Sequence, residues 1–159
     1  MGAMAIGARY AHTNLTARDW RRLARFYQDV LGCLPRPPER DLSGPWLDEL
    51  TGIEGAHLRG VHLALPGHGE GGPTLEIFSY DRMVEGGGTP LVNEAGFGHL
   101  AFQVDDVEAA LRAVQAAGGG AVGRVATLEV PGAGSLRVVY ARDPEGNILE
   151  LQRWAGPGR

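Results

Sequence analysis

Residues 10–32 read YAHTNLTARDWRRLARFYQDVLG, and residues 98–119 read GHLAFQVDDVEAALRAVQAAGG. Both stretches place a histidine in a short alternating segment, then a segment with helical apolar spacing, then a glycine. In both, a glycine that follows the helical segment stands 20 positions after the histidine, Gly32 after His12 and Gly119 after His99. Self-similarity of this kind indicates that one structural unit occurs twice in the chain.

The composition is that of an ordinary globular domain. The 159 residues include 19 acidic and 15 basic side chains, for a formal net charge of −4. The basic residues form no cluster, so a nucleic acid is not an expected partner. No apolar run is long enough to span a bilayer and the N-terminus lacks a secretion signal, so we expect a cytoplasmic protein without membrane contact. The single cysteine, Cys33, is expected to be a buried small side chain.

Each unit is predicted to fold as β-α-β-β-β. A capping box precedes each helix, with Thr16 and Asp19 in the first unit and Asp105 and Glu108 in the second. Apolar residues at helical spacing follow both boxes, so each helix has one apolar stripe that would lie on a sheet. Short alternating segments separated by turn sequences complete each unit with strands.

The predicted fold class is α+β, with two βαβββ modules in a single domain that spans residues 1–159. Module one covers residues 8–80, a linker covers 81–96, and module two covers 97–154. We expect the modules to form a curled mixed sheet around a central metal-binding cavity, with a helix packed on each outer face. Module one is longer because of a Pro-rich insert at 35–52, whose role the sequence leaves open.

Four polar residues are predicted to project away from the apolar faces of their strands. Side chains alternate between the two faces of a strand. Glu76 in TLEIF and Glu150 in ILEL stand between bulky apolar residues and therefore point to the other face. His12 and His99 follow the same alternation. Each unit thus supplies one histidine and one glutamate to the space between the modules.

The set of His12, Glu76, His99 and Glu150 has the chemistry of a divalent metal centre. Two neutral imidazoles and two carboxylates suit Ni²⁺, Zn²⁺, Co²⁺, Fe²⁺ or Mn²⁺. Without an ion, two carboxylates facing each other in a partly dry cavity would repel each other, and one would take up a proton. The sequence therefore predicts a divalent metal ion as cofactor.

The chain resembles the vicinal-oxygen-chelate superfamily, which includes glyoxalase I, methylmalonyl-CoA epimerase, fosfomycin-resistance proteins, extradiol dioxygenases and bleomycin-binding proteins. The resemblance covers nearly the whole chain and rests on FYQDVLG, GHLAFQVDDVEAAL and DPEGNILEL. These motifs are specific for the fold and less so for the reaction. By position, the family's four metal-ligand places fall on His12, Glu76, His99 and Glu150, a pattern similar to that of bacterial-type glyoxalase I.

This resemblance implies a lyase or isomerase that binds a small-molecule substrate through two adjacent oxygens and stabilises an enediolate or enolate. Glu76 or Glu150 would be the catalytic base. It also implies a homodimer, because superfamily members often pair and some build each site from two chains. Two other functions stay open: an Fe²⁺ ring-cleaving dioxygenase of the extradiol type, and a non-catalytic module that binds an antibiotic or metabolite.

Four further residues are candidates for substrate binding: His62, Asn14, Gln103 and Trp46. By strand alternation His62 faces the cavity, where it would serve as a proton shuttle or a substrate contact. Asn14 and Gln103 would line the same cavity, and Trp46 in the insert would form a lid or an apolar wall. His57 and His68 stand in loop-like contexts and are expected to face solvent.

Overall fold

The structure, a computed structural model, describes residues 6–156 as two modules. In this part of the chain, module one consists of β1 (His12–Thr16), α1 (Trp20–Leu31), β2 (Leu34–Ser43), α2 (Pro45–Thr51), β3 (His57–Ala64) and β4 (Thr74–Tyr80). Module two consists of β5 (Leu100–Gln103), α3 (Val107–Ala116), β6 (Gly120–Ala121), β7 (Ala126–Val130), β8 (Gly134–Arg142) and β9 (Ile148–Ala155).

The strands form two sheets, one in each module. The order is β1-β4-β3-β2 in the first sheet and β5-β9-β8-β6 in the second, where β7 also pairs with β8. In each module the first and last strands lie side by side and run parallel, whereas the other described pairings are antiparallel. The α+β class and the repeated βαβββ architecture are therefore confirmed, and equivalent positions of the two modules can be matched by register.

Both long helices belong to one apolar core that includes strands of both sheets. Leu23 of α1, Val114 of α3, Ile77 of β4 and Leu149 of β9 are among its buried members. As predicted, each helix packs on its own sheet, α1 on β3 and β4 and α3 on β8 and β9, and the two helices also contact each other. An apolar stripe shows that one face of a helix is covered, but not which elements cover it. Among the described helices, none combines the length and apolar character needed to cross a bilayer.

A buried polar contact connects the two modules inside this core. The Tyr27 hydroxyl of α1 donates to Oδ2 of Asp143 at 2.8 Å, and Asp143, which follows β8, is only 2% exposed. The same carboxylate accepts hydrogen bonds from the backbone N–H groups of Glu145 and Asn147 and from the Asn147 side-chain amide. Burial raises the pKa of Asp143, and these hydrogen bonds oppose the rise.

The Pro-rich segment 35–52 is not a separate insert. Its first part belongs to β2, the end strand of the first sheet, and its second part forms α2. Prolines are tolerated in an end strand, where one row of N–H groups has no neighbouring strand, and Pro45 occupies the first turn of α2, where its missing N–H costs no hydrogen bond. A bulge between Arg36 and Arg40 interrupts the strand register and hides the alternation. The buried side chain of Leu47 anchors α2 in a second, smaller core.

The helices begin later than the capping boxes predict. The N-cap of α1 is Asp19 and not Thr16, and the N-cap of α3 is Asp106 and not Asp105. Each of these two aspartates accepts a hydrogen bond from the backbone N–H three residues further on, at 3.0 and 2.8 Å respectively. Each segment offers several short polar side chains, and the point at which the preceding strand ends determines which of them caps the helix.

Replacing the N-cap Asp106 by alanine is expected to lower the free energy of unfolding by about 1 kcal/mol, because a backbone N–H of the first turn loses its acceptor. The matched control is Asp105→Ala, which removes the same charge one residue earlier and leaves the cap intact; its expected change is below about 0.5 kcal/mol. Urea denaturation of both variants measures the difference. Equal losses in the two variants would contradict the assignment of the cap.

Cys33 follows the glycine that ends α1. Gly32 has a φ of 71°, the left-handed conformation that glycine adopts without strain at a helix C-terminus. Cys33 is buried, and burial raises the pKa of its thiol to about 11. The thiol therefore stays protonated at neutral pH. The burial of Cys33 confirms the prediction of a small buried side chain.

Candidate functional site

The strand register places five polar side chains on one face of the first sheet. Glu76 of β4 is flanked by Asn14 of β1 on one side and His62 of β3 on the other, and His12 lies beside Thr74. Directly opposite residues of neighbouring strands project to the same side. The alternate residues of β4 belong to the core beneath α1. The five residues therefore share the opposite face, which we call the His–Glu face of the first sheet.

The carboxylate of Glu76 is held at both of its oxygens. Nε2 of His62 lies 2.8 Å from Oε2, and the side-chain amide of Asn14 donates to Oε1 at 2.8 Å. Nε2 of His12 lies 3.8 Å from Oε2. The Glu76 side chain is 14% exposed and that of His12 is 44% exposed, so this group is open to solvent mainly at the His12 ring.

The environment of His62 favours its neutral form. Burial lowers the pKa of His62, the carboxylate of Glu76 raises it, and the charges of Arg40 and His12 lower it further. One neutral tautomer satisfies both neighbours of the ring, with Nε2–H donating to Glu76 and Nδ1 accepting from the Thr74 hydroxyl at 3.3 Å. His62 can therefore hold the Glu76 carboxylate without adding a positive charge.

The second sheet repeats this arrangement with fewer polar groups. Glu150 of β9 is flanked by Ala101 of β5 and Tyr140 of β8. Nε2 of His99 lies 2.9 Å from Oε2 of Glu150, and the rings of His99 and Tyr140 have centroids 5.0 Å apart. Glu150 is 15% exposed and His99 is 36% exposed. We call this surface the His–Glu face of the second sheet.

Matching the two registers shows where the halves differ. The position of Asn14 in the first sheet corresponds to Ala101 in the second, and the position of His62 corresponds to Tyr140. Each half therefore has one first-strand histidine and one last-strand glutamate. Only the glutamate of the first half has nitrogen donors from both neighbouring strands.

The single chain does not bring the four predicted metal ligands to a common point. The structure forms the pairs His12–Glu76 and His99–Glu150. Among residues 6–156, no three His, Cys, Asp or Glu side chains are arranged to hold an ion. A four-ligand centre built from both pairs therefore stays a prediction.

The other two predicted substrate-binding residues lie further from the pairs in register. Gln103 is exposed at the end of β5, on the His–Glu face of the second sheet. Trp46 is exposed on α2, and its indole N–H donates to the carbonyl oxygen of Ser43 at 3.1 Å. The next residue, Leu47, packs on Phe78, so α2 covers one end of the His–Glu face of the first sheet. Substrate contact stays a prediction for Gln103 and Trp46.

The sequence predicted that His57 stands in an exposed loop, and the structure shows that it does not. It begins β3, and its two ring nitrogens lie 2.5 Å from Asp41 and 2.7 Å from Asp81. The hydrogen bond with Asp41 is the main reason why the pKa of His57 is raised. The register turns His57 away from the His–Glu face, so it belongs to a separate surface network.

Two arginines on the His–Glu face of the first sheet were missed by the sequence analysis. In register, Arg36 pairs with His62 and Arg40 pairs with Gly60, and both arginine side chains therefore project to the same side as His62. Their even spacing was an available signal. The prolines around them disguised the segment as a loop, so no face was assigned to either residue.

Comparisons with known proteins point to one family. The model of the Glyoxalase/Bleomycin resistance protein/Dioxygenase superfamily matches residues 9–151. A lactoylglutathione lyase of Haemophilus influenzae is 28% identical over 141 residues, which cover 88% of each chain. A probable lactoylglutathione lyase of Vibrio parahaemolyticus is 26% identical over 146 residues, which cover 90% of this chain and 88% of the relative.

Solved structures give the same result for the fold. The crystal structure of a glyoxalase family protein from Bacillus cereus matches with a TM-score of 0.80 at 20% identity. The match covers 97% of this chain and 100% of the other. With two βαβββ modules that each carry a His–Glu pair, and with a family match over nearly its whole length, the chain belongs to the Glyoxalase/Bleomycin resistance protein/Dioxygenase superfamily.

Proposed function

We propose that this protein is a metal-dependent enzyme of the glyoxalase type, a lyase or isomerase acting on a small molecule with two adjacent oxygens. One observation carries the proposal: each sheet holds an imidazole and a partly buried carboxylate on the same face, at equivalent register positions. The names of the two lactoylglutathione lyase relatives support lyase chemistry.

The donor set of the two pairs fits a divalent cation. In each pair the imidazole Nε2 and a carboxylate oxygen lie close together, at 3.8 Å in the first and 2.9 Å in the second. Two carboxylates balance the charge of one divalent ion, and the mixture of nitrogen and oxygen donors suits nickel, zinc, cobalt, iron or manganese. His12, Glu76, His99 and Glu150 would hold the ion.

We place the complete centre between two copies of the chain. In the described part of one chain, no three candidate ligands are arranged to hold an ion. The strands that carry or adjoin the two histidines, β1 and β5, are end strands of their sheets. An end strand leaves a row of backbone N–H and C=O groups available to another chain. In a twofold homodimer, the first pair of each copy would face the second pair of its partner. Two equivalent centres would result.

When bound, the ion would supply Lewis-acid stabilisation of negative charge that develops on two adjacent oxygens of the substrate. The chain's own residues would divide the remaining tasks. Asn14 and His62 hold both oxygens of Glu76, which suits a fixed ligand. Glu150 has one polar partner, His99, among the described residues. It is therefore the freer carboxylate and the better candidate to move a proton between neighbouring carbons.

Glu76→Gln and Glu150→Gln are each expected to lower the affinity for Zn²⁺ or Ni²⁺ by about tenfold or more, because an amide replaces a charged ligand. Elemental analysis after purification without chelator, followed by equilibrium titration, measures this loss. The matched control is His57→Gln, which alters a histidine with two acidic neighbours on the other face of the same sheet and should leave metal binding unchanged.

Full metal content in both glutamine variants would contradict the assignment of these ligands. A wild-type protein that takes up none of the five ions would remove the enzyme proposal. That result would favour the non-catalytic binding module.

One observation favours a second candidate, an Fe²⁺ ring-cleaving dioxygenase. Because Asn14 and His62 already occupy both oxygens of Glu76, this carboxylate could stay outside the coordination sphere. His12, His99 and Glu150 would then form the two-histidine, one-carboxylate set of non-haem iron oxygenases. Oxygen uptake with catechols after anaerobic loading with Fe²⁺ separates the two candidates, since a lyase or isomerase consumes no oxygen.

A further inference from the structure

We propose that the substrate carries an anionic group, a carboxylate or a phosphonate, and that Arg36 and Arg40 bind it. This inference rests on the proposed function for the position of the reacting oxygens. It adds a substrate class that the His–Glu pairs alone do not define.

The two arginines stand beside the predicted metal ligands on the same surface. In register Arg36 lies next to His62, which in turn lies next to Glu76, so one row crosses the face from the arginine to the carboxylate. Arg40 lies opposite Gly60, two residues before His62 on β3, a separation of about 7 Å along the strand. A small substrate that reaches Glu76 would therefore have its far end within the range of both guanidinium groups.

Neither arginine has an acidic partner in the described part of the chain. Arg40 donates to the carbonyl oxygen of Pro38, which leaves most of its N–H groups available. On the other side of this sheet, by contrast, Arg21 of α1 pairs with Glu39 and Arg59 of β3 pairs with Asp81. Two unpaired like charges on one partly buried face repel each other, and an anion placed between them removes this repulsion.

The second sheet presents a different surface around its own pair. On the His–Glu face of the second sheet, Tyr140 beside Glu150 is followed along β8 by Val138 and Leu136, and Leu128 of β7 pairs with Leu136. Leu128 and Tyr140 are among the exposed large apolar residues. A metal centre built from the His–Glu face of the first sheet and the His–Glu face of the second sheet would have one cationic wall and one apolar wall. It would therefore suit a substrate with an anionic end and an apolar body.

Two probes with the same chelating head test this inference on the Co²⁺-loaded protein: benzohydroxamate, and 4-carboxybenzohydroxamate, which adds a carboxylate to the ring. The visible absorption of Co²⁺ reports binding of each probe. For wild type we expect the carboxylate probe to bind about tenfold more tightly, the effect of one charge-assisted contact. In the double variant R36Q/R40Q the preference should vanish, while benzohydroxamate binds as before.

The matched control is R21Q, which removes an arginine from the other side of the same sheet and should keep the preference. Equal affinity of wild type for both probes would overturn the anion site and leave the metal centre standing. A preference that survives in R36Q/R40Q would overturn the assignment to these residues.

A second measurement needs no ion, so it separates this inference from the metal proposal. Phenylphosphonate is added to metal-free protein, and broadening of its ³¹P resonance reports binding. Broadening with wild type and R21Q but not with R36Q/R40Q supports the site, even where no metal is taken up. A resonance that is equally sharp, or equally broad, with all three proteins would overturn it.

Discussion

A heterodimer of two complementary variants is expected to bind about half as much metal as the wild-type protein. One chain carries His12→Ala and Glu76→Gln, and the other carries His99→Ala and Glu150→Gln. Each variant alone lacks one pair at every shared site, so its homodimer should bind no ion. In the heterodimer, one site receives the first pair from one chain and the second pair from the other, and this site is intact.

The control heterodimer combines wild type with a chain that carries all four substitutions. If each centre is shared, both of its sites lack one pair and no ion is bound. If each centre lies within one chain, the wild-type copy keeps its ion and the control binds half the wild-type amount. The two chains are co-expressed with different tags and purified through both tags. Elemental analysis then measures the metal content per chain of each heterodimer. Half occupancy in the control with none in the complementary pair would place the centre within a single chain.

Asp143→Ala is expected to lower the free energy of unfolding by about 2–4 kcal/mol, because one buried and three partly buried donors lose their acceptor. These donors are the Tyr27 hydroxyl, the backbone N–H groups of Glu145 and Asn147, and the Asn147 amide. Asp29→Ala, which removes an exposed acid from α1, is the matched control and should change stability by less than about 0.5 kcal/mol. Urea denaturation at pH 7 measures both. Similar values for the two variants would contradict a structural role for the buried carboxylate.

The same carboxylate gives stability a defined pH dependence. Because burial raises the pKa of Asp143 in the folded state, the folded protein binds a proton that the unfolded chain releases near pH 3.9. The proton-linked part of the contribution of Asp143 is therefore largest at acid pH and is lost as the pH rises through the raised folded value, whereas its hydrogen bonds remain. Above pH 4 the free energy of unfolding of the wild type should therefore fall as the pH rises, in part because of Asp143. Asp143→Asn should remove this part of the fall when stability is measured at a series of pH values. An unchanged decline would contradict the shift.

The duplicated pattern and the faces of the strands could be predicted from the sequence. The period of two in TLEIF and ILEL determines which side of each sheet carries Glu76 and Glu150, whatever the sheet packs against. Strand alternation likewise placed His62 on the face where it contacts Glu76. No face could be predicted for the side chains of β2, because prolines and a bulge remove the alternation there.

Relations between elements could not be predicted in the same way. Nothing local in α1 shows that Tyr27 contacts Asp143, which lies 116 residues later in the chain, or that α1 and α3 share one core. The start of each helix depends on where the preceding strand ends, so Asp19 and Asp106 became caps in place of Thr16 and Asp105. Long-range packing determines these features, and a single sequence does not display it.

A metal centre shared between two copies, as proposed above, has a consequence for regulation. Under the proposed arrangement, a lone copy offers an ion only one pair at a time, whereas two copies offer both. Ion uptake and association then reinforce each other by mass action, since each stabilises the state that the other requires. Activity would rise more steeply than in proportion to the amount of protein synthesised. Dilution would dissociate the two copies, and the proposed activity would then be lost without any inhibitor.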